Sequence, residues 1–188
     1  MNIIEIFTES LSLIFSFDKD LWEIILLSLY VSLVALIFAS IFGLLIGYYL
    51  ALRNFFFKNF ILIILNSLMG IPPVVVGLIV YFMFASGGPL GVLQLLYTPA
   101  AMIIAQVIII FPIVTSISHE IFDQNWREYK DQLRSINMPF FGVAFIITKH
   151  SYFLVITALL SAFGRAISEV GAVMIVGGNI NHFTRVMT

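Results

Sequence analysis

Arg165 and Glu169 stand four residues apart in "FGRAISEVGAVMIVGGNI", Phe163 to Ile180, a run that is otherwise apolar or small. Residues at that spacing are neighbours on a helix, so the two charges can pair. An ionised side chain facing lipid costs about 3 kcal/mol, so both must point at protein or at water. Three roles stay open for them: fastening one helix to its neighbour, gating a pathway, or touching an ion that passes. Covalent and metal chemistry have no comparable candidates. The chain has no cysteine, which excludes disulfides and thiolate metal sites. It also lacks the G-x-x-x-x-G-K-[ST] loop that cradles nucleotide phosphates, so it cannot itself supply an ATPase. No residue is assigned a catalytic or metal-binding role.

The surroundings of the pair are those of a bilayer. Of the 188 residues 61% are hydrophobic and 10% charged, and the mean hydropathy is +1.10, whereas soluble domains run at about 45–50% apolar and about 25% charged. No Asp, Glu, Lys or Arg occurs from Asn59 to His119, a stretch long enough for two spans of about 20 residues with a turn between them. No basic segment followed by a short apolar core and a cleavage site opens the chain, so no removable signal peptide is expected. The net charge of −1 implies no nucleic-acid partner.

The expected fold is therefore all-α, a polytopic transmembrane helical bundle in a single domain over 1–188. Four spans can be read, at about 21–52, 60–84, 98–118 and 151–176. Residues 1–20 are too short and too acidic to cross and are expected to lie along the interface. The segment 119–149 is the one long polar excursion. Arg53, Lys58, Arg127, Lys130, Arg134 and Lys149 flank the first turn or this excursion, against Lys19 and Arg185 on the other side. The excess of Lys and Arg places the long excursion in the cytoplasm and both chain ends outside.

Two spans carry local signals. Ala35, Ala39, Gly43, Gly47 and Ala51 form a stripe at four-residue spacing along the first. Helices in lipid associate by close backbone approach along small residues, so this is read as a packing face. In the second span Pro72 and Pro73 of "GIPPVVVG" remove two amide donors and must bend or break the helix. Backbone broken at membrane depth is tolerated against protein or a water-filled cavity, which makes Pro72 and Pro73 pathway candidates beside Arg165 and Glu169. On a straight fourth span counted from Ser151, Arg165 would stand roughly 21 Å and Glu169 about 27 Å from the inner boundary, a plausible gate height. In "DQNWREYKDQLRSINMPFFG" aromatic and aliphatic residues recur at helical spacing among charges, as on a surface segment that meets a partner.

That segment resembles the cytoplasmic motif of ABC importer permeases: an acidic residue, two alanines, a glycine six positions after the acid and an isoleucine ten further on. Asp131, Asn137 and Ile147 fall in this register, while Gln132 and Leu133 stand where the family has alanines. Asn is the next best residue after Gly for a left-handed turn, so Asn137 keeps the turn. "FGRAISEVGAVMIVGGNI" followed by "TRVMT", with "NSLMGIPPVVVGLIVY", "YTPAAMIIAQ" and "FPIV", is similar to the tungstate-type permeases, relatives of the molybdate and sulfate permeases. The resemblance covers nearly the whole chain and implies a further span beyond Thr188, five in all.

The resemblance implies the membrane subunit of an ATP-driven importer of tungstate, with molybdate as the near relative, in the cytoplasmic membrane of a prokaryote. A second copy would enclose the pathway, a dimer of separate ATPase subunits would bind ATP and Mg, and an extracytoplasmic tungstate-binding protein would deliver the anion. The chain itself would bind no cofactor, would contact membrane lipid and would not be an enzyme. Coupling to the ATPase would run through Asp131, Leu133, Ile136, Asn137, Met138 and Phe140. The rival reading, an ion-coupled secondary transporter or channel, would account for the broken second span and the charges in the membrane. It lacks an internal repeat and leaves the amphipathic excursion without a role.

Overall fold

The computed structural model describes residues 19–187; the expected interfacial segment 1–20 lies almost wholly outside them. The described residues form α1 (Lys19–Leu52), α2 (Lys58–Met69), α3 (Pro73–Phe84), α4 (Pro99–Ser135), α5 (Phe140–His150), α6 (Tyr152–Ser168) and α7 (Val170–Gly177), with one 3-10 turn at Gly91–Leu93. The fold is all-helical, as composition requires. Two helices, α1 and α4, are long and apolar enough to cross a membrane; α2–α3 and α5–α6 bring the number to four if each bent pair is one span.

The seam between α1 and α4 is the centre of the structure. Ala35, Ala39, Gly43, Gly47 and Ala51 are all buried along it. A methyl group built on Gly43 would stand 2.9 Å from Val114 Cγ1, and one on Gly47 would stand 2.9 Å from both Ser118 Cβ and the Thr115 carbonyl oxygen. Only glycine lets the two backbones come this near. On the same seam Thr115 donates its hydroxyl to the Phe111 carbonyl at 2.7 Å, which keeps a polar side chain satisfied beside Pro112 inside α4. The opposite face of α1 presents Leu26, Phe38, Phe42 and Leu45 outward, as a lipid-facing surface does. A second small-residue stripe runs along α6, where Ala162 and Ala166 close against Ala35, Ala39, Ile110 and Val114 and Ala158 joins the cluster of Tyr48, Ala51 and Phe122.

Three spans depart from the sequence expectation, each for a local reason. Within 60–84 the chain stops at Met69 and restarts at Pro73, and the two helices meet at 100°. Pro72 takes the extended conformation that suits a residue preceding proline, and Pro73 opens α3 at the helical position where its missing amide costs nothing. The third span does not end near Ser118: α4 continues to Ser135, so 119–149 is helix, tight turn and helix. The fourth divides at Glu169, whose φ of −86° and ψ of 85° end α6 and begin α7. The heights counted along a straight rod therefore do not hold beyond Ser168.

The two ends of the molecule are tied by different contacts. Lys58 Nζ lies 3.4 Å from Asp123 Oδ1 at one end. At the other, His182 Nδ1 lies 3.2 Å from Glu23 Oε2, and the Met187 amide donates to Ser28 Oγ at 2.9 Å. α1 is 34 residues long, about 50 Å of helix, so the end rich in Lys and Arg and the end holding residues 181–187 are far apart.

Candidate functional site

The break at Glu169 draws polar groups of three helices together within the apolar region. Because α6 stops, carbonyls in its last turn lose their helical partners. Ser168 Oγ donates to the Arg165 carbonyl at 2.9 Å. The Ala166 carbonyl accepts the Glu169 amide at 3.3 Å and Gln106 Nε2 at 3.0 Å. Gln106 comes from the N-terminal part of α4, is 3% exposed, and also reaches Ser32 Oγ of α1 at 3.4 Å. One side chain thus ties α1, α4 and the end of α6. The cavity beside it, of about 20 Å³, is lined by Ser28, Ser32, Gln106 and Glu169 among others.

Arg165 and Glu169 do pair, with Arg165 Nε 2.7 Å from Glu169 Oε1. Their surroundings are unequal: the arginine side chain is 44% exposed and the glutamate 9%. Glu169 occupies the N-cap position of α7 without making a side-chain cap bond, its carboxylate turned to the arginine instead. The pair is thus a buried acid whose base stands half out of the protein.

Pro72 and Pro73 lie close to this break through α3. A methyl group built on Gly77 would meet Ala172 Cα at 2.7 Å, and one on Gly171 would meet Val74 Cγ2 at 2.8 Å. Val80 and Val176 share a cluster further along. α3 and α7 therefore run parallel in contact, and the N-terminal ends of both, one made by Pro72–Pro73 and the other by Glu169, lie side by side. The sequence reading named all four residues as pathway candidates, and the structure brings their two breaks together. It did not name Gln106, whose signal was an amide within the apolar stretch of the third span.

At the basic end, α4 ends in a left-handed turn. Asn137 has φ of 48°, its amide bonds to the Arg134 carbonyl at 3.0 Å, and the Met138 amide bonds to the Leu133 carbonyl at 3.2 Å. This is a Schellman motif with asparagine in the glycine position, and it carries the usual apolar contact, Leu133 and Met138 sharing one core cluster. The expected coupling residues divide here. Asp131 and Asn137 are exposed and Ile136 is 63% exposed. Leu133 is buried and Met138 half-buried against Tyr48, Phe122, Val143 and Ile147, so both shape the turn from inside. The Phe140 side chain lies outside the described residues. Phe141, 84% exposed, is a further large apolar side chain at this end of the molecule.

One further group went unnoticed in sequence. Asp20, Glu23 and His182 come within 4.8 Å of one another through their ligand atoms at the opposite end, all three exposed.

Comparison with known proteins agrees with this architecture. The profile of the family "Binding-protein-dependent transport system inner membrane component" matches residues 39–187. The "Tungstate uptake system permease protein TupB" of Peptoclostridium acidaminophilum is 38% identical over 186 residues, 99% of this chain and 82% of that protein. The protein of the same name from Campylobacter jejuni is 32% identical over 182 residues, 97% of this chain and 76% of the relative. A "Probable anion ABC transporter permease protein" of Haloferax volcanii is 38% identical over 166 residues, 86% of this chain and 72% of its own length. These relatives are permease subunits rather than enzymes. With the family profile covering every described helix from the middle of α1 onward, the chain is an integral membrane protein that belongs to the binding-protein-dependent ABC transporter permease family.

Proposed function

We propose that this chain is the permease subunit of an importer that moves tungstate across the cytoplasmic membrane by alternating access. The observation that carries the substrate is the 38% identity to a tungstate uptake permease over 99% of the chain. The geometry supports the rest. In this reading two copies enclose the pathway, and the α4–α5 turn, with Asp131, Ile136 and Asn137 outermost, docks on a separate ATPase dimer. An extracytoplasmic binding protein delivers the anion. ATP and Mg act in the ATPase, and this chain binds neither.

The moving parts are the breaks. α3 and α7 pack on each other and begin at the breaks Pro72–Pro73 and Glu169, while Val80, Phe84 and Val176 seat them on Ala101 and Ala105 of α4. A tilt of the α4–α5 turn would be felt at Glu169, because Gln106 lies on α4 itself and holds the Ala166 carbonyl. Half-helix N-termini carry partial positive charge, and that of α7 begins at Glu169, the partner of the half-exposed Arg165. That arrangement favours brief passage of a dianion without a tight site, which suits a transporter whose binding protein has already selected the ion.

The same broken helices, with the charges of Arg165 and Glu169, are what favours an ion-coupled secondary transporter. The two readings separate in proteoliposomes holding the permease with its ATPase subunit and binding protein. Tungstate uptake should require ATP and stop when the ATPase is disabled, and molybdate measured alongside sets the selectivity. Uptake driven by an ion gradient with the ATPase disabled would overturn the importer reading.

A further inference from the structure

Four cations meet at the basic end around a single carboxylate. Lys58, Arg127, Lys130 and Arg134 line a cavity of about 450 Å³ together with Asp123 and Trp126. Asp123 already accepts from Lys58 Nζ at 3.4 Å and from Arg127 Nη2 at 2.7 Å. Four positive side chains against one negative leave three uncompensated positive charges on the cavity wall. Among the described residues, neither Lys130 nor Arg134 has an ion pair.

The direction of Arg134 shows which way the charge is aimed. It lies two turns beyond Trp126, yet its guanidinium stands 5.6 Å from the centre of the Trp126 ring. An arginine near the tip of α4 could extend into water; this one folds back toward the membrane side, held by the ring face. The level of the cavity is set by the turn that precedes Lys58. Phe56 is 93% and Phe57 61% exposed there, ring against ring at 5.1 Å. Adjacent phenylalanines so exposed fit the boundary between hydrocarbon and headgroups, and Lys58 follows them directly. An occupant of this place has to offer negative charge to the cavity and hydrocarbon to its rim.

We propose that the cavity binds the headgroup of an anionic phospholipid from the leaflet at this end. Its phosphate oxygens accept from Lys130 and Arg134, and its acyl chains lie along Phe56 and Phe57. Lys58 and Arg127 stay on Asp123 and add field rather than new bonds. The charge complementarity is that of other basic pockets between helices at a membrane surface. The inference does not depend on which ion the permease carries.

The test uses purified permease complex, delipidated in detergent and titrated separately with phosphatidylglycerol and phosphatidylcholine, with bound lipid read by native mass spectrometry. Each cation near an anionic surface contributes about five-fold in affinity, so Lys130→Gln with Arg134→Gln should weaken phosphatidylglycerol binding on the order of thirty-fold and leave phosphatidylcholine unchanged. The charge-conserving Lys130→Arg with Arg134→Lys should keep the preference, as should Lys149→Gln, which neutralises a cation outside the cavity. Equal binding of both lipids by the unaltered protein would overturn the proposal. So would displacement of phosphatidylglycerol by inorganic phosphate at similar concentration, which would make this a free-anion site. Loss of the ATPase subunit from the double-glutamine variant with lipid binding intact would make it a protein interface, and would overturn it too.

Discussion

The α1–α4 seam and the α3–α7 contact use the same device with different anchorage. Both depend on glycines whose added methyl group would collide with the neighbouring helix at less than 3 Å. In the seam both glycines belong to α1, a continuous helix of 34 residues that packs on the 37-residue α4. In the other contact they belong to helices of 12 and 8 residues, each beginning at a break. Close packing alone therefore does not make a rigid part. A seam continuous over its length resists tilt everywhere, whereas a short pair that starts at two breaks rests on α4 through a few side chains, Val80, Phe84, Val173 and Val176 against Ala101, Met102 and Ala105.

The strongest way to break this contrast is to fill the seam. Gly47→Leu would drive a branched side chain into the Thr115 carbonyl and the His119 amide, backbone atoms that cannot step aside. Overpacking of this kind costs about 3 kcal/mol or more, so the complex should fail to assemble and its yield in membranes should collapse. Leu45→Ile on the exposed face of α1 should leave the yield unchanged. Leu44 is no control, because it packs against two core clusters. Equal yields for Gly47→Leu and Leu45→Ile would mean that the seam is not the scaffold.

The next largest effect should come from Gln106, the polar link between scaffold and joint. Gln106→Leu removes the donor to the Ala166 carbonyl and leaves that carbonyl buried with only the Glu169 amide. The expected cost is about 1–3 kcal/mol in thermal or denaturant stability. Uptake should fall further than ATPase activity, because the joint would no longer follow α4. A parallel fall in both would assign Gln106 to the scaffold instead.

The seam was legible in the sequence and the joint only partly so, for a physical reason. Ala35 to Ala51 repeat at helical period, and a small-residue stripe has one structural use in lipid, so pattern sufficed. Pro72 and Pro73 announced a break but not its 100° angle, which depends on what α3 packs against. The break at Glu169 has no proline or glycine at its centre; "AISEVGA" reads as unbroken helix, and it is Gln106, 63 residues earlier, that supplies a bond the broken helix lacks. The α4 extension to Ser135 was hidden by polarity, since leaving the membrane ends the apolar signal without ending the helix. Asn137 was legible in full, because a left-handed turn narrows the choice of residue.

Arg165 and Glu169 sharpen the comparison at the joint itself. The arginine side chain is 44% exposed and the pair is screened accordingly, so it contributes only about 1 kcal/mol. Removing the arginine alone strands a mostly buried carboxylate, which is worse than removing both. Arg165→Gln should therefore lower complex yield more than Arg165→Gln with Glu169→Gln, with a coupling energy of about 0.5–1 kcal/mol in a double-mutant cycle. If Arg165 also draws the anion toward the two half-helix ends, the double variant should assemble well and still take up tungstate slowly. Additive effects on yield and on uptake would leave the pair no part in the joint.

The smallest expected effect lies at the α4–α5 turn, and its sign is informative. Asn137 holds φ of 48°, a conformation that costs an alanine about 1 kcal/mol and a glycine nothing. Asn137→Ala should therefore lower the thermal midpoint slightly. Asn137→Gly should leave it near the starting value, since relief of the left-handed strain is offset by the greater freedom of the unfolded chain. Neither change removes the Leu133–Met138 contact that closes the turn from inside. If the turn is what the ATPase grips, ATP-dependent uptake should track the shape of the turn: kept by Asn137→Gly, reduced by Asn137→Ala, and lost in Asn137→Pro, whose ring fixes φ on the negative side and deletes the amide that bonds the Arg134 carbonyl. Full uptake by the proline variant would place the coupling elsewhere and leave this end of α4 as a second piece of scaffold rather than a second joint.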